Sequence, residues 1–103
     1  MILKVAKYVI TKRIESNKPI TNLDLQKLLK QIQDEIPNLF FDEYQKMNNI
    51  YCYPNVFYYF AGYGVMPITY KYNIVLSTKT KIKIDEIIDN FVGFTEKILK
   101  EDL

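Results

Sequence analysis

Ile2, Val5, Ala6, Val9 and Ile10 recur at three- and four-residue intervals, while Lys4, Lys7 and Arg13 fall mostly on other faces. That spacing predicts an amphipathic helix over residues 2–16. Ser16-Asn17-Lys18-Pro19 then reads as a reversal, because Asn tolerates unusual backbone angles and Pro cannot continue the helix. A second helix is marked more sharply. Thr21 is placed to cap it, Asp24 sits near the positive end of its dipole, and Leu25, Leu28, Leu29, Ile32 and Ile36 form a core face that runs to Pro37-Asn38. The two helices are expected to pair across their short connection.

From Leu39 to Tyr72 the pattern changes from periodic to aromatic. This stretch holds 12 of the 15 aromatic residues, and no charged residue interrupts the run between Lys46 and Lys71. So many phenols cannot all be satisfied inside a small dry core, which predicts that several sit at the surface or line a groove. Pro54 is placed for the first turn of a short helix through Phe60, which Gly62 and Gly64 end. Residues 70–76 and 79–84 are rich in β-branched and aromatic side chains and are predicted as short strands. A last helix is predicted over residues 85–100, from Ile87, Ile88, Phe91, Val92, Ile98 and Leu99, with Gly93 weakening its middle or marking a close contact. The fold expected is mainly α (α+β): one small domain over residues 1–103, with about four helices and a short β-hairpin.

The composition narrows the chemistry. The chain has 103 residues, no histidine, and Cys52 as its sole cysteine, which removes the common imidazole base, Cys/His zinc sites and an internal disulfide. Acidic pairs Asp34-Glu35, Asp42-Glu43 and Asp85-Glu86 stand without a phosphate loop, a nucleophile elbow or metal-spaced companions, so they read as solvated surface or helix termini. Cys52 reads as a small buried hydrophobe. Neither a cofactor nor a metal is expected, and the chain is not expected to be an enzyme. Lys4 and Lys7 break up the amino-terminal apolar run, so no secretory signal is expected and the default address is cytoplasmic. The uncharged run is too rich in Asn, Pro, Gly and Tyr to be expected in a membrane. A formal net charge of +2 gives no general pull on nucleic acid.

Two segments resemble a known family. Lys4-Val5-Ala6-Lys7-Tyr8-Val9-Ile10 followed by Thr21-Asn22-Leu23-Asp24-Leu25-Gln26-Lys27-Leu28-Leu29, and then Tyr53-Pro54-Asn55-Val56-Phe57-Tyr58-Tyr59-Phe60-Ala61-Gly62-Tyr63-Gly64, are similar in kind and order to the motifs of the Panacea domain. That is the SocA-like family of antitoxins and phage-associated proteins. Two departures stand out: Ile50-Tyr51-Cys52 replaces the family's Gly-Pro-Val turn, and Lys30-Gln31 replaces the aromatics that follow its Leu-Leu pair. The resemblance implies a non-catalytic protein that binds a toxin and neutralises it or delivers it to a protease. Occurrence of the family on phages makes an anti-defence inhibitor of a host nuclease, of the anti-CRISPR kind, the alternative.

The contact residues expected for a protein target are Tyr53, Tyr58, Tyr59 and Tyr63, with Tyr51 and Lys27 secondary. Tyrosine offers large area, few rotors and a hydroxyl that reaches across an interface. Lys71, Lys79, Lys81 and Lys83 support a different partner. If residues 79–83 are extended, Lys79, Lys81 and Lys83 share one face, and that ridge either holds RNA or single-stranded DNA or protects a strand edge.

Overall fold

The computed structural model describes residues 1–94 and 96. Helix α1 spans Ile2–Glu15 and α2 spans Asn22–Glu35, and the two pack against each other. Asn17 takes a positive φ of 57° at the reversal between them, a conformation that Asn accepts more readily than most residues. Thr21 caps α2 by accepting the Asp24 N–H at 3.2 Å. Leu25, Leu28, Leu29 and Ile32 are fully buried against Val5, Val9 and Ile10 of the same core. Each such side chain contributes about 1.5–3 kcal/mol of burial, so this seam dominates the stability. Arg13 departs from the expected polar face. It is buried at 4% exposure, pairs with Glu96 and lies 5.8 Å from the Phe91 ring centroid.

A β-hairpin follows, but not where β-propensity places it. Strands β1, Gln45–Met47, and β2, Ile50–Cys52, pair antiparallel with Lys46 opposite Tyr51. Asn48 and Asn49 turn the chain with φ of 48° and 71°, the two positive values that a tight two-residue turn demands. Cys52 is buried at its end, and burial raises its thiol pKa. Helix α3, Pro54–Tyr59, begins with Pro at its first turn and passes into a 3-10 turn, Ala61–Tyr63. Gly64 ends that turn at a φ of +58°, in the region that favours glycine.

The predicted strands at 70–76 and 79–84 do not form. Residues 69–77 run without turn or bend across α1, anchored by Thr11 and by the Ile68 N–H bonded to the Ile20 carbonyl at 2.9 Å. Residues 79–84 belong to α4, Thr78–Asn90, because Ser77 caps the Thr80 N–H and Ile84, Ile87 and Ile88 bury one helical face. The β-like alternation of Lys79 to Ile84 yields to that cap and to the three-four spacing downstream. The last helix thus starts earlier than expected and ends before Phe91, whose backbone is extended. Lys97, Ile98, Leu99 and Lys100 of the predicted helix lie outside the described residues. Gly93 marks a close contact: a Cβ there would stand 2.5 Å from Asp24 Oδ2, and the same carboxylate accepts the Phe94 N–H at 3.0 Å.

One buried polar network joins α2 to the aromatic segment. The Tyr53 N–H donates to Gln26 Oε1 at 2.9 Å, Gln26 Nε2 donates to Asn22 Oδ1 at 3.0 Å, and Asn22 Nδ2 donates to the Phe57 carbonyl at 3.0 Å. Two side chains of α2 therefore satisfy backbone groups at both ends of α3's first turn, fixing where its tyrosines point. Among the described residues the fold is a small α+β domain of four α-helices with one two-stranded hairpin. Among the described residues no helix is long and apolar enough to cross a membrane.

Candidate functional site: a tyrosine face around Lys7

Helix α3 and the 3-10 turn present Tyr59 and Tyr63, and the stretch after Gly64 brings Tyr70 and Tyr72 alongside them. Thr11 of α1 sets the position of this stretch. Its hydroxyl accepts the Tyr72 N–H at 2.8 Å and lies 3.2 Å from the Tyr72 carbonyl. Lys7, one helical turn earlier on α1, then sits between two rings. Its Nζ is 5.0 Å from the ring centroids of both Tyr59 and Tyr72, close enough for cation–π attraction to each. Tyr70 leans on Tyr72 at 4.7 Å, and Phe60, buried beneath, meets Tyr59 at 4.9 Å.

The face is exposed enough to bind. Tyr59 and Tyr70 are 52% and 60% exposed, while Tyr63 and Tyr72 are half-buried. Burial raises the Tyr72 phenol pKa, with the neighbouring phenols of Tyr59, Tyr63 and Tyr70 pushing it the same way. The Tyr72 hydroxyl therefore remains a neutral donor and acceptor at neutral pH. No carboxylate pairs with Lys7 among the described residues. The result is an aromatic surface with one positive charge between two of its rings.

The expected contact residues divide among several places. Tyr59 and Tyr63 belong to this face. Tyr58 is 61% exposed on α3 but pairs with Phe57 instead, and Tyr51 is exposed on β2, stacked on Tyr44 at 5.8 Å. Tyr53 does not belong to any surface. It is 1% exposed, its hydroxyl donates to Gln33 Oε1 at 2.6 Å, and burial raises its pKa well above the ordinary phenol value. Its position just before Pro54 puts it at the cap of α3, facing α2, and so corrects its assignment as a contact. Lys27 is exposed on α2 beside a separate apolar cleft of about 450 Å³, with Leu23, Val65 and Phe94, and its Nζ lies 5.9 Å from the Phe94 ring.

The lysine ridge is broken up. At about 100° per residue in a helix, Lys79 and Lys83 of α4 share a face while Lys81 lies opposite, lining a cleft with Thr11, Lys12 and Tyr72. Lys71 lies in the extended stretch, 3.8 Å from Glu15. The four ammonium groups therefore do not form the single extended row expected of them.

Sequence reasoning missed Lys7 and the roles of Tyr70 and Tyr72. Lys7 reads as one more polar residue of α1, and nothing local says that rings more than fifty positions away will enclose it. The Tyr-Lys-Tyr alternation at 70–72 does place both rings on one side of an extended chain, and that was the available signal. Among the described residues, no three of Cys, Asp and Glu converge as a metal site would require. No family model, no curated protein and no solved structure matches this chain.

Proposed function

We propose that this chain is a non-catalytic protein-binding neutraliser, antitoxin-like, which inhibits a toxin or effector by docking its tyrosine face onto it. The observation that carries this reading is the cluster of Tyr59, Tyr63, Tyr70 and Tyr72, with Lys7 between the rings of Tyr59 and Tyr72 and with Tyr59 and Tyr70 more than half exposed. Tyrosines locked by their neighbours lose little entropy on binding and rank among the residues that dominate interfaces. The resemblance to the Panacea domain supports the same conclusion independently of that face. An anti-defence inhibitor of a host nuclease would use the same surface, and the identity of the captured partner separates the two.

Tyr59 and Tyr70 together expose on the order of 200 Å² of ring-bearing side chain, against roughly 800 Å² per partner in a standard interface. They are the centre of a contact surface, not all of it. The test begins with affinity capture from host lysate, followed by purification of the captured protein and measurement of its own activity with and without the chain. Stoichiometric inhibition is expected. A chain carrying Tyr59→Ala and Tyr70→Ala should bind about 100-fold or more weakly, with an unchanged circular dichroism spectrum. Full inhibition by that variant would overturn the assignment. So would a wild-type chain that binds single-stranded oligonucleotide with steep salt dependence and captures no protein.

A further inference from the structure

We infer that the stretch from Tyr70 to Leu76 receives an extended acidic segment of the partner protein as an added β-strand. The inference rests on the docking reading above and specifies how the docking is made. Residues 69–77 contain no turn or bend, and their side chains alternate. Tyr72, Ile74 and Leu76 pack against the core, while Lys71, Asn73 and Val75 are exposed. This is the two-residue period of a strand, without a strand beside it.

The backbone shows which edge is open. Tyr72 turns both its N–H and its C=O towards Thr11 of α1. In an extended chain the N–H and C=O of one residue share an edge, and those of its neighbours share the other. Lys71, Asn73 and Val75 therefore present theirs away from α1. Among the described residues, no hydrogen bond reaches the backbone of any of the three. Val75, on this edge, is 77% exposed, and Tyr70, in the register of Tyr72, is 60% exposed beside it. An unpaired edge flanked by exposed apolar side chains is a template for strand addition, in which main-chain bonds supply affinity and alternate side chains supply specificity.

Charge selects the occupant. Lys7, Lys12, Lys71 and Lys81 border the stretch against two acids, Glu15 and Asp85. Lys71 is 3.8 Å from Glu15 and Lys12 is 4.0 Å from Asp85. Lys7 and Lys81 remain without a carboxylate among the described residues. An incoming strand with carboxylates at alternate positions complements that excess, whereas a second copy of this chain would bring the same lysines against it.

The probe is a synthetic peptide of about ten alternating valine and glutamate residues, added to the isotope-labelled chain and followed by amide hydrogen exchange. Exchange at Lys71, Asn73 and Val75 is expected to slow by about tenfold or more, with Tyr72, already bonded, unchanged. The same peptide N-methylated at alternate residues, and a valine–lysine peptide, should not bind. Asn73→Pro should abolish peptide binding while leaving Tyr72 protected. Three results would overturn the inference: no binding of the valine–glutamate peptide, binding without slowed exchange at those three amides, or equal binding of the lysine peptide. If Asn73→Pro still captures the partner while Tyr59→Ala with Tyr70→Ala does not, strand addition fails and the docking reading survives. If neither variant loses the partner, both fail.

Discussion

Replacing Gln26 by Leu tests the network that hangs α3 on α2. The side chain is fully buried and of similar size to Leu, so the substitution removes polar atoms while opening little space. Its Oε1 accepts the Tyr53 N–H at 2.9 Å and its Nε2 donates to Asn22 Oδ1 at 3.0 Å. Leaving a buried donor or acceptor unpaired costs about 1–3 kcal/mol. The buried Tyr53 N–H loses the acceptor it has, whereas the Asn22 amide still reaches the Phe57 carbonyl, so the combined loss should be about 2–4 kcal/mol. For a domain of this size that corresponds to a fall in Tm of roughly 10–20 °C. A total stability of about 5–15 kcal/mol leaves the variant folded in most of that range. Urea unfolding followed by circular dichroism measures the change, and a cycle with Asn22→Ala should show non-additivity because the two amides share a bond. A loss below about 0.5 kcal/mol, within the range of ordinary surface substitutions, would refute the claim that this amide satisfies α3.

Gly93→Ala should cost about 1–3 kcal/mol, since the added Cβ would stand 2.5 Å from Asp24 Oδ2, and faster hydrogen exchange at the Phe94 amide should accompany it. Thr11→Val keeps the shape but removes the acceptor of the Tyr72 N–H. It should cost about 1 kcal/mol and speed exchange at Tyr72, and an unaltered Tyr72 amide would show that the extended stretch is held by something else. Alkali should destabilise the fold. Burial, and then the hydrogen bond to Asp85 at 2.5 Å, raise the Tyr8 phenol above its ordinary value of 10.0. Above that pH the unfolded phenol gives up its proton while the folded one keeps it, so the native state binds more protons and stability falls as pH rises. Tyr8→Phe should flatten that decline in urea unfolding measured on either side of pH 10, and an equally steep decline in the variant would assign it elsewhere.

The helices were legible in sequence where burial and capping agreed. Thr21, Asp24 and the Leu25-to-Ile32 face state α2 three times over, and the structure follows them. The hairpin was legible in kind but not in place. Asn48-Asn49 is a turn signal whose leading flank, Gln45-Lys46-Met47, is a weak strand former, while 70–76 has the stronger β composition and finds no partner strand among the described residues. That outcome was decided at Ser77, a cap whose effect is to commit residues 79–84 to α4 and so remove the second strand of the expected pair. Tyr53 and Tyr59 show the same limit at the site. Both are tyrosines in one aromatic run six residues apart, yet one is sealed under Gln33 and the other faces outward beside Lys7. Composition placed the aromatic surface in the right segment, and only the packing of α3 on α2 chose its members.

The two motifs that carry the family resemblance meet each other in this fold. Gln26 and Asn22 of the first hold the backbone at Tyr53 and Phe57 of the second, and Asp24 of the first receives Phe94. These side chains are buried, so their interactions organise the interior. The exposed rings obey different constraints. Tyr70 and Tyr72 lie outside both motifs, and Lys7, within the first, contributes through a side chain that the core does not need. A sequence can therefore keep the motifs and change the face, because nothing in the Gln26 network depends on which ring stands at position 70. The resemblance accordingly bears on the scaffold more than on the proposed target, and the test of that proposal lies among residues that the motifs do not contain.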